Sequence, residues 1–317
     1  MPAISASAPG KIILFGEHAV VYGRPAIAVP INQIQAKAYV FPEPHMPSGY
    51  MNIQAPNIGL EAILSDLPQD HPLVAAINGV LKEVDVSRPP ALTLRVTSSI
   101  PLAAGLGSGA AVSTAIIRAL STFLGHPLPA KRVSDLVFEV EKIHHGTPSG
   151  IDNTVISFEM PVFFIRDEFK GNTIETFSVA QPFTIVIADT GISSPTSSTV
   201  GDVRLAWKNN PTYSEQLFDE IGEVVLAARA AIENSQIDAL GTLMNENHAL
   251  LIALGVSSPE LDYLVQTART TGALGAKLSG GGRGGNIIAL ADRSTSIQLA
   301  DSLEAAGAVH TYISDII

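Results

Sequence analysis

The sequence predicts an α+β protein, and three observations carry that prediction. The chain has 317 residues, of which 46% are hydrophobic and only 15% charged, enough to bury a sizeable core in one large domain or two ordinary ones. Segments such as "QIQAKAYVF" alternate polar and apolar residues, which indicates strands, while others repeat apolar residues at helical spacing. Strands and helices are mixed without strict βαβ alternation, which favours α+β over a doubly wound parallel sheet.

The first half of the chain alternates between both kinds of element. Strands are predicted for "KIILFGEHAVVYG", "AIAVPIN", "QIQAKAYVF" and, further on, "ALTLRVTSS". "HPLVAAINGVLKEV" has helical spacing, "AAVSTAIIRALSTFLG" predicts a helix that ends at Gly125, and "KRVSDLVFEVEKIHHG" one that stops near Gly146 and Pro148. "PVFFI" predicts a further strand, just before the polar stretch described next.

A polar stretch, "RDEFKGNTIETFSVAQP", marks a change of composition, and we place a domain boundary near Ala180, giving domains 1–180 and 181–317. The second half opens with the buried-strand pattern "FTIVIADT". Several helices follow, one with an apolar stripe from Leu217 to Ile232. "AKLSGGGRGGNIIAL" predicts strand, glycine loop and strand, followed by a helix and the closing strand "GAVHTYIS".

Composition excludes several classes of function. The net charge of −11 argues against a broad nucleic-acid surface, which needs a basic footprint. The absence of cysteine excludes disulfides, thiolate metal sites and cysteine nucleophiles. No apolar run reaches the roughly 20 residues of a membrane helix, and the N-terminus lacks the pattern of a signal peptide. We therefore expect a soluble, cytoplasmic protein without membrane contact.

The stretch "PLAAGLGSGAAVS" follows a predicted strand and leads into a predicted helix. Its small residues, Gly105, Gly107, Ser108 and Gly109, would let an anion approach backbone N–H groups at the positive helix end, which favours a phosphate. A tight turn with close helix packing explains the stretch equally well when it is taken alone. It matches neither the P-loop nor the G-x-G-x-x-G pattern.

Two further stretches place ionisable residues where they are unusual. "APGKIILFGEHAVVYG" puts Lys11, Glu17 and His18 in an apolar region, where such side chains are rarely buried unless paired or functional. "HHGTPSGIDN" puts Asp152 in a turn rich in Gly, Pro and Ser, where an ordinary turn aspartate is the alternative.

Four segments in order resemble the motifs of the GHMP kinases, and within that family the branch that phosphorylates mevalonate. They are Pro9 to His18, Gly105 to Ala111, Gly146 to Asn153 and Lys277 to Gly285, so the resemblance covers nearly the whole chain. It implies a two-domain fold with the active site in the cleft between the domains. The implied reaction is ATP-dependent phosphorylation of the primary hydroxyl of mevalonate to 5-phosphomevalonate in isoprenoid biosynthesis, with Mg²⁺ as cofactor. It is also compatible with a homodimer.

The resemblance assigns roles to individual residues. Asp152 would take the hydroxyl proton, and Lys11 would stabilise the negative charge that develops on oxygen. Glu141, one helix before the aspartate, would hold Mg²⁺, whereas Glu139 would point elsewhere because residues two apart do not share a helix face.

The resemblance assigns ATP binding to the first glycine loop. The loop departs from the family at Gly109, where a second serine is usual. Ser108 is therefore a second candidate for the metal. The loop comprises Pro101, Gly105, Leu106, Gly107, Ser108, Gly109, Ala110 and Ala111.

Substrate binding falls to His18, Glu17 and Thr196, although His18 could instead be a core histidine. A third glycine loop, expected to pack beside the substrate, comprises Gly280, Gly281, Gly282, Arg283 and Gly284. Arg283 stands where glycine is frequent, and it could pair with ATP phosphates or face solvent.

Two alternatives remain beside mevalonate phosphorylation. One is a kinase of the same fold acting on another small alcohol, such as phosphomevalonate, homoserine or a sugar; the other is a non-catalytic metabolite sensor. The run "GEHAVVYG" favours mevalonate, because galactokinase-like members carry Glu-His-Thr-Asp there. Retention of Lys11, Glu141 and Asp152 together argues against a sensor.

Overall fold

The computed structural model describes residues 3–102, 104–145, 148–167, 169–193 and 196–317, with the backbone alone at 144 and 145. The chain divides into two compact units that interleave along the sequence. Unit 1 consists of Met1–Lys11 and Ile34–Glu159, and unit 2 of Ile12–Gln33 and Met160–Ile317. Strands β1 (Ile4–Phe15) and β2 (Pro25–Pro42), which pair with each other, therefore contribute residues to both units. The domain boundary near Ala180 stays a prediction.

Unit 1 is built on short strands beside the C-terminal part of β2. These are β3 (Met51–Ala55), β4 (Leu60–Ile63) and β5 (Leu92–Ser98). β5 lies between β2, to which it is antiparallel, and β3, to which it is parallel; β4 pairs with the other edge of β3. β3 alternates buried and half-buried residues, as expected where one face of a sheet is covered.

The helices of unit 1 pack on one another around α2, which is rich in small side chains. They are α1 (Pro72–Glu83), α2 (Ser108–Phe123), α3 (Ala130–His145) and α4 (Ile151–Phe158). α2 contacts the other three, because its alanines, serines and threonines permit close approach. Gly146, where the third predicted helix was expected to stop, lies outside the described residues.

Unit 2 contains a four-stranded antiparallel sheet in the order β11-β8-β10-β9. Its strands are β8 (Phe183–Asp189), β9 (Gly275–Ser279), β10 (Asn286–Ala291) and β11 (His310–Ile316). The helices are α5 (Thr196–Asn209), α6 (Pro211–Glu233), α7 (Ile237–Ala253), α8 (Pro259–Thr270) and α9 (Ser296–Ala305). β6 (Val162–Ile165) pairs with the N-terminal part of β2, and β7 (Thr173–Thr176) pairs with β6.

Two predictions about strands are corrected by the structure. The strand expected to continue through "GEHAVVYG" ends at Phe15, because Gly16 and His18 both have positive φ, and a short 3₁₀ turn follows at Ala19–Tyr22. The two strands expected in "AIAVPINQIQAKAYVF" form the single strand β2. Within the described ranges, no helix has the length and apolar character needed to span a membrane.

Candidate active site

The glycine loop between β5 and α2 has the predicted order of strand, loop and helix. Gly105 and Gly107 adopt left-handed φ values of 74° and 75°. Gly107 stands at the N-cap of α2 and has no side chain to accept hydrogen bonds from the first helical turn. The backbone N–H groups of that turn therefore suit an anion, and the helix dipole favours negative charge at the same point.

Lys11, in unit 1 with this loop, packs directly against it. Its backbone N–H donates to the carbonyl oxygen of Leu106 at 3.0 Å. A Cβ added at Gly107 would lie 2.9 Å from both Lys11 Cγ and Ile156 Cδ1. Glycine is therefore required at 107 both by the backbone angle and by the lysine stem.

Lys11 and Asp152 form an ion pair, with Lys11 Nζ 3.2 Å from Asp152 Oδ1. The lysine side chain is 10% exposed and the aspartate side chain 33%. Asp152 lies in the first turn of α4, which begins after Gly150 in a left-handed conformation. Asn153 Nδ2 donates to both the carbonyl and the hydroxyl oxygen of Ser134 on α3, and these bonds fix the start of α4.

Glu141 on α3 turns inward, as the helical spacing predicts. It is buried, whereas Glu139 is exposed and pairs with Lys142. A Cβ added at Gly109 would lie 3.3 Å from Glu141 Oε1, so position 109 and the carboxylate are neighbours. In the described part of the chain, no group of three or more His, Asp or Glu side chains could hold a metal ion by itself.

These residues line a cavity of about 620 Å³ within unit 1, a size typical of small-molecule sites. Lys11, Asp152, Glu141 and Ser108 lie on its wall together with the glycine loop. The remaining lining includes apolar side chains: Ala55, Ile58, Leu73, Val96 and Leu102. Of the predicted ATP-binding residues, Ala111 is the exception, because it is fully buried and does not line the cavity.

In unit 2, Glu17 forms a buried ion pair with Lys277 on β9. The two side chains are 1% and 0% exposed. Burial raises the pKa of the Glu17 carboxyl above its ordinary value and lowers the pKa of the Lys277 ammonium, and each charge opposes the shift of the other. Lys277 Nζ also donates to the carbonyl of Leu278 at 2.7 Å.

His18 is a buried histidine in an unusual backbone conformation, with φ 62°. Its Nε2 lies 3.0 Å from the carbonyl oxygen of Gly281, which can only accept, so Nε2 carries the proton in the neutral ring. Burial lowers the pKa of His18 to about 4, and the nearby cations of Arg283 and Lys277 act in the same direction.

The third glycine loop joins β9 to β10 and packs tightly on neighbouring backbone. A Cβ at Gly282 would lie 2.0 Å from the carbonyl oxygen of Val256, and one at Gly284 would lie 2.4 Å from that of Ile192. A Cβ at Gly281 would meet Thr196 Oγ1 at 2.8 Å. Thr196 and His18 therefore both lie against Gly281.

Arg283, whose role the sequence leaves open, forms an ion pair with Asp202 on α5 and donates from Nη2 to the Gly255 carbonyl at 3.3 Å. Its side chain is 39% exposed. The two alternatives given for it, pairing with ATP phosphates and facing solvent, both stay open.

Lys277 is the residue that sequence reasoning missed. It begins the fourth motif, but no role was predicted for it. The signal was available in "GAKLS", where one lysine interrupts a buried strand, because a lysine there needs a buried partner.

Comparisons with known protein families match segments in both halves of the chain. The model of the GHMP kinases N terminal domain matches residues 72–159, and that of the GHMP kinases C terminal matches residues 228–309. Mevalonate kinase from Thermococcus sibiricus is 38% identical, covering 96% of this chain and 93% of its own. Mevalonate kinase from Pyrococcus abyssi is 37% identical, covering 94% and 92%.

Solved structures give the same result. The crystal structure of L. major mevalonate kinase in complex with R-mevalonate has a TM-score of 0.82 at 31% identity, covering 98% of this chain and 95% of that one. The Methanococcus jannaschii mevalonate kinase has a TM-score of 0.83 at 24% identity, covering 99% and 98%, and supports the fold. The chain belongs to the GHMP kinases and, among them, to the mevalonate kinases. The predicted family and the α+β fold are confirmed.

Proposed function

We propose that this protein transfers the γ-phosphoryl group of ATP to the primary hydroxyl of mevalonate, giving 5-phosphomevalonate and ADP. The observation that carries the proposal is the ion pair of Lys11 and Asp152 on the wall of a cavity that also contains a glycine loop at a helix N-terminus. Phosphoryl transfer needs positioned phosphates, neutralised charge and a group that takes the hydroxyl proton, and these residues can supply each of them.

Asp152 and Lys11 would act on the attacking hydroxyl. As its oxygen bonds to the γ-phosphorus, the bond from that phosphorus to the bridging oxygen breaks and ADP leaves. The hydroxyl proton passes to Asp152, whose side chain is one-third exposed and can be reached from the cavity. The Lys11 ammonium, held against the loop, stabilises the charge on the attacking oxygen.

The glycine loop would hold the phosphates of ATP. The first-turn N–H groups of α2 offer donors to phosphate oxygens, and glycine at 105 and 107 lets those oxygens approach the backbone. The apolar side of the same cavity is suited to the nucleoside part of the molecule.

Mg²⁺ fits the donor set of this cavity. The buried carboxylate of Glu141 and the hydroxyl of Ser108 lie on its wall, and Mg²⁺ is commonly held by one or two carboxylates together with substrate phosphates and water. Glycine at 109 leaves no side chain between the helix terminus and Glu141. When bound, the ion would neutralise developing charge on the phosphates.

His18, Glu17 and Thr196 are proposed to form the mevalonate site. His18 and Thr196 both contact Gly281 within unit 2, which supports a shared role. A solved mevalonate kinase that is 31% identical was crystallised with R-mevalonate, which makes this the first substrate to test. A homodimer and a cytoplasmic location stay predictions.

The proposal is tested by a coupled ADP-release assay with mevalonate, phosphomevalonate, homoserine and galactose. We expect mevalonate to give the highest kcat/KM. A preference for another alcohol would move the protein to a different branch of the family, and the absence of turnover with all four would favour the sensor.

A further inference from the structure

The segment Gly16–His18 is fixed at each of its three residues. Gly16, with φ 95°, packs so closely that a Cβ there would lie 2.4 Å from the Pro25 carbonyl oxygen. Glu17 is tied to Lys277 and His18 to the carbonyl of Gly281. Two of these three anchors come from one stretch of chain, because Lys277 and Gly281 are four residues apart on β9 and its loop.

The Lys277–Glu17 pair is not explained by stability alone. Removing two ions from water is unfavourable, and apolar side chains of similar volume often replace such a pair without loss of stability. Both side chains are closed to solvent, so their charges do not contribute to the solubility of the protein. What the pair adds is a directional bond between β9 and the segment that carries His18.

His18 needs that constraint, because a positive φ is unfavourable for a residue other than glycine. With Nε2 donating to Gly281, Nδ1 of the neutral ring is an acceptor. Nδ1 is buried, and no hydrogen-bond partner for it occurs among the described residues. A hydroxyl group of a substrate is the kind of donor that would satisfy it.

We propose that Lys277 is a positioning residue for the alcohol substrate: it anchors Glu17 and so holds His18 with Nδ1 ready to accept a hydrogen bond from a substrate hydroxyl. This inference rests on the proposed function. Glu17 then acts through the position of its neighbour, since its own carboxylate is closed off and paired with Lys277.

The test is Lys277→Met, compared with Lys131→Met, which removes a lysine from an exposed pair with Asp135 on α3. The KM for the alcohol should rise by up to about tenfold in Lys277→Met, because a misplaced His18 no longer accepts the hydrogen bond of the substrate hydroxyl. The KM for ATP should stay within about twofold, and Lys131→Met should match the wild type. A purely structural lysine would lower the maximal rate with the folded fraction and leave both KM values unchanged, which would overturn the proposal.

If Lys277→Met does not fold, the double variant Glu17→Leu, Lys277→Met removes both charges and should fold. We expect it to keep a raised KM for the alcohol, whereas a wild-type KM would contradict a positioning role. The wild-type assay with the four alcohols tests the proposed function separately, and the variants are compared with the wild type on its best substrate.

Discussion

Lys11 Nζ lies 3.2 Å from Asp152 Oδ1, with the lysine almost buried and the aspartate one-third exposed. The lysine is thus held in place by the protein, while the carboxylate remains accessible from the cavity. This asymmetry suits a fixed cation and a proton acceptor that must reach a substrate.

Asp152→Asn should lower kcat by at least about 10²-fold, because the amide keeps the size of the side chain but cannot take the proton. The KM for ATP should change little, since the base acts in the transition state. Asp135→Asn, in an exposed ion pair on α3, is the matched control and should behave as wild type. Near-normal turnover of Asp152→Asn would show that Asp152 is a residue of the first helical turn of α4 without a catalytic role.

Lys11→Met should lose a comparable factor in kcat, and the double variant with Asp152→Asn should lose much less than the product of the two single losses. The two side chains act on one proton transfer, and residues that act as a unit are not additive. The measurement is the kcat of the wild type, the two single variants and the double variant, which together form a double-mutant cycle. Independent, fully additive losses would contradict a joint role.

Glu141→Gln should raise the Mg²⁺ concentration needed for half-maximal activity and lower turnover, because an amide is a weaker ligand for a hard cation. Glu139→Gln, two residues away on the exposed side of the same helix, should leave the titration unchanged. Circular dichroism should show both variants folded. An unaltered Mg²⁺ titration of Glu141→Gln would transfer the role to Ser108.

Gly107→Ala and Gly105→Ala separate backbone strain from contact with Lys11. Both positions have left-handed φ, which costs roughly 1–2 kcal/mol for alanine. A Cβ at Gly105 meets nothing within 4 Å, whereas one at Gly107 lies 2.9 Å from Lys11 Cγ. Gly107→Ala should therefore lose more stability and much more kcat than Gly105→Ala. Equal effects in urea unfolding and in kinetics would argue against this role of Gly107.

Acid should weaken the fold through its buried histidines. Burial lowers the pKa of His248 to about 4, below the ordinary value of 6.5, so the unfolded chain binds more protons between those pH values. The free energy of unfolding should fall as the pH drops through this window and level off below it. In His248→Gln the free energy of unfolding should change less steeply with pH, by up to about 1.4 kcal/mol per pH unit. Urea unfolding at a series of pH values measures this dependence. If the free energy of unfolding changes with pH equally in both proteins, His248 does not contribute.

Local sequence patterns were sufficient to predict the glycine loop together with the strand before it and the helix after it. β5, the loop and α2 follow one another in the chain, and glycine spacing, helical periodicity and the strand pattern each act over a few residues. The opposite directions of Glu139 and Glu141 likewise follow from helix geometry, and the structure agrees.

Contacts between residues that are far apart in the sequence could not be predicted from local patterns. Glu17 and Lys277 are 260 residues apart in the sequence. A lysine in a buried strand indicates that it has a partner, but the sequence does not indicate which residue the partner is. The pairing of Arg283 with Asp202 is of the same kind. The sharing of β1 and β2 between two units was not predicted either, because the division into compact units depends on which distant segments pack together.

The most direct test of the account is the identity of the product formed from ATP and mevalonate. Phosphorus NMR of the reaction should show ADP and an equal amount of a phosphomonoester whose signal is split by the two protons of an adjacent CH₂ group, as transfer to the primary hydroxyl requires. A phosphomonoester signal without that splitting, or release of inorganic phosphate alone, would contradict phosphorylation of the primary hydroxyl of mevalonate.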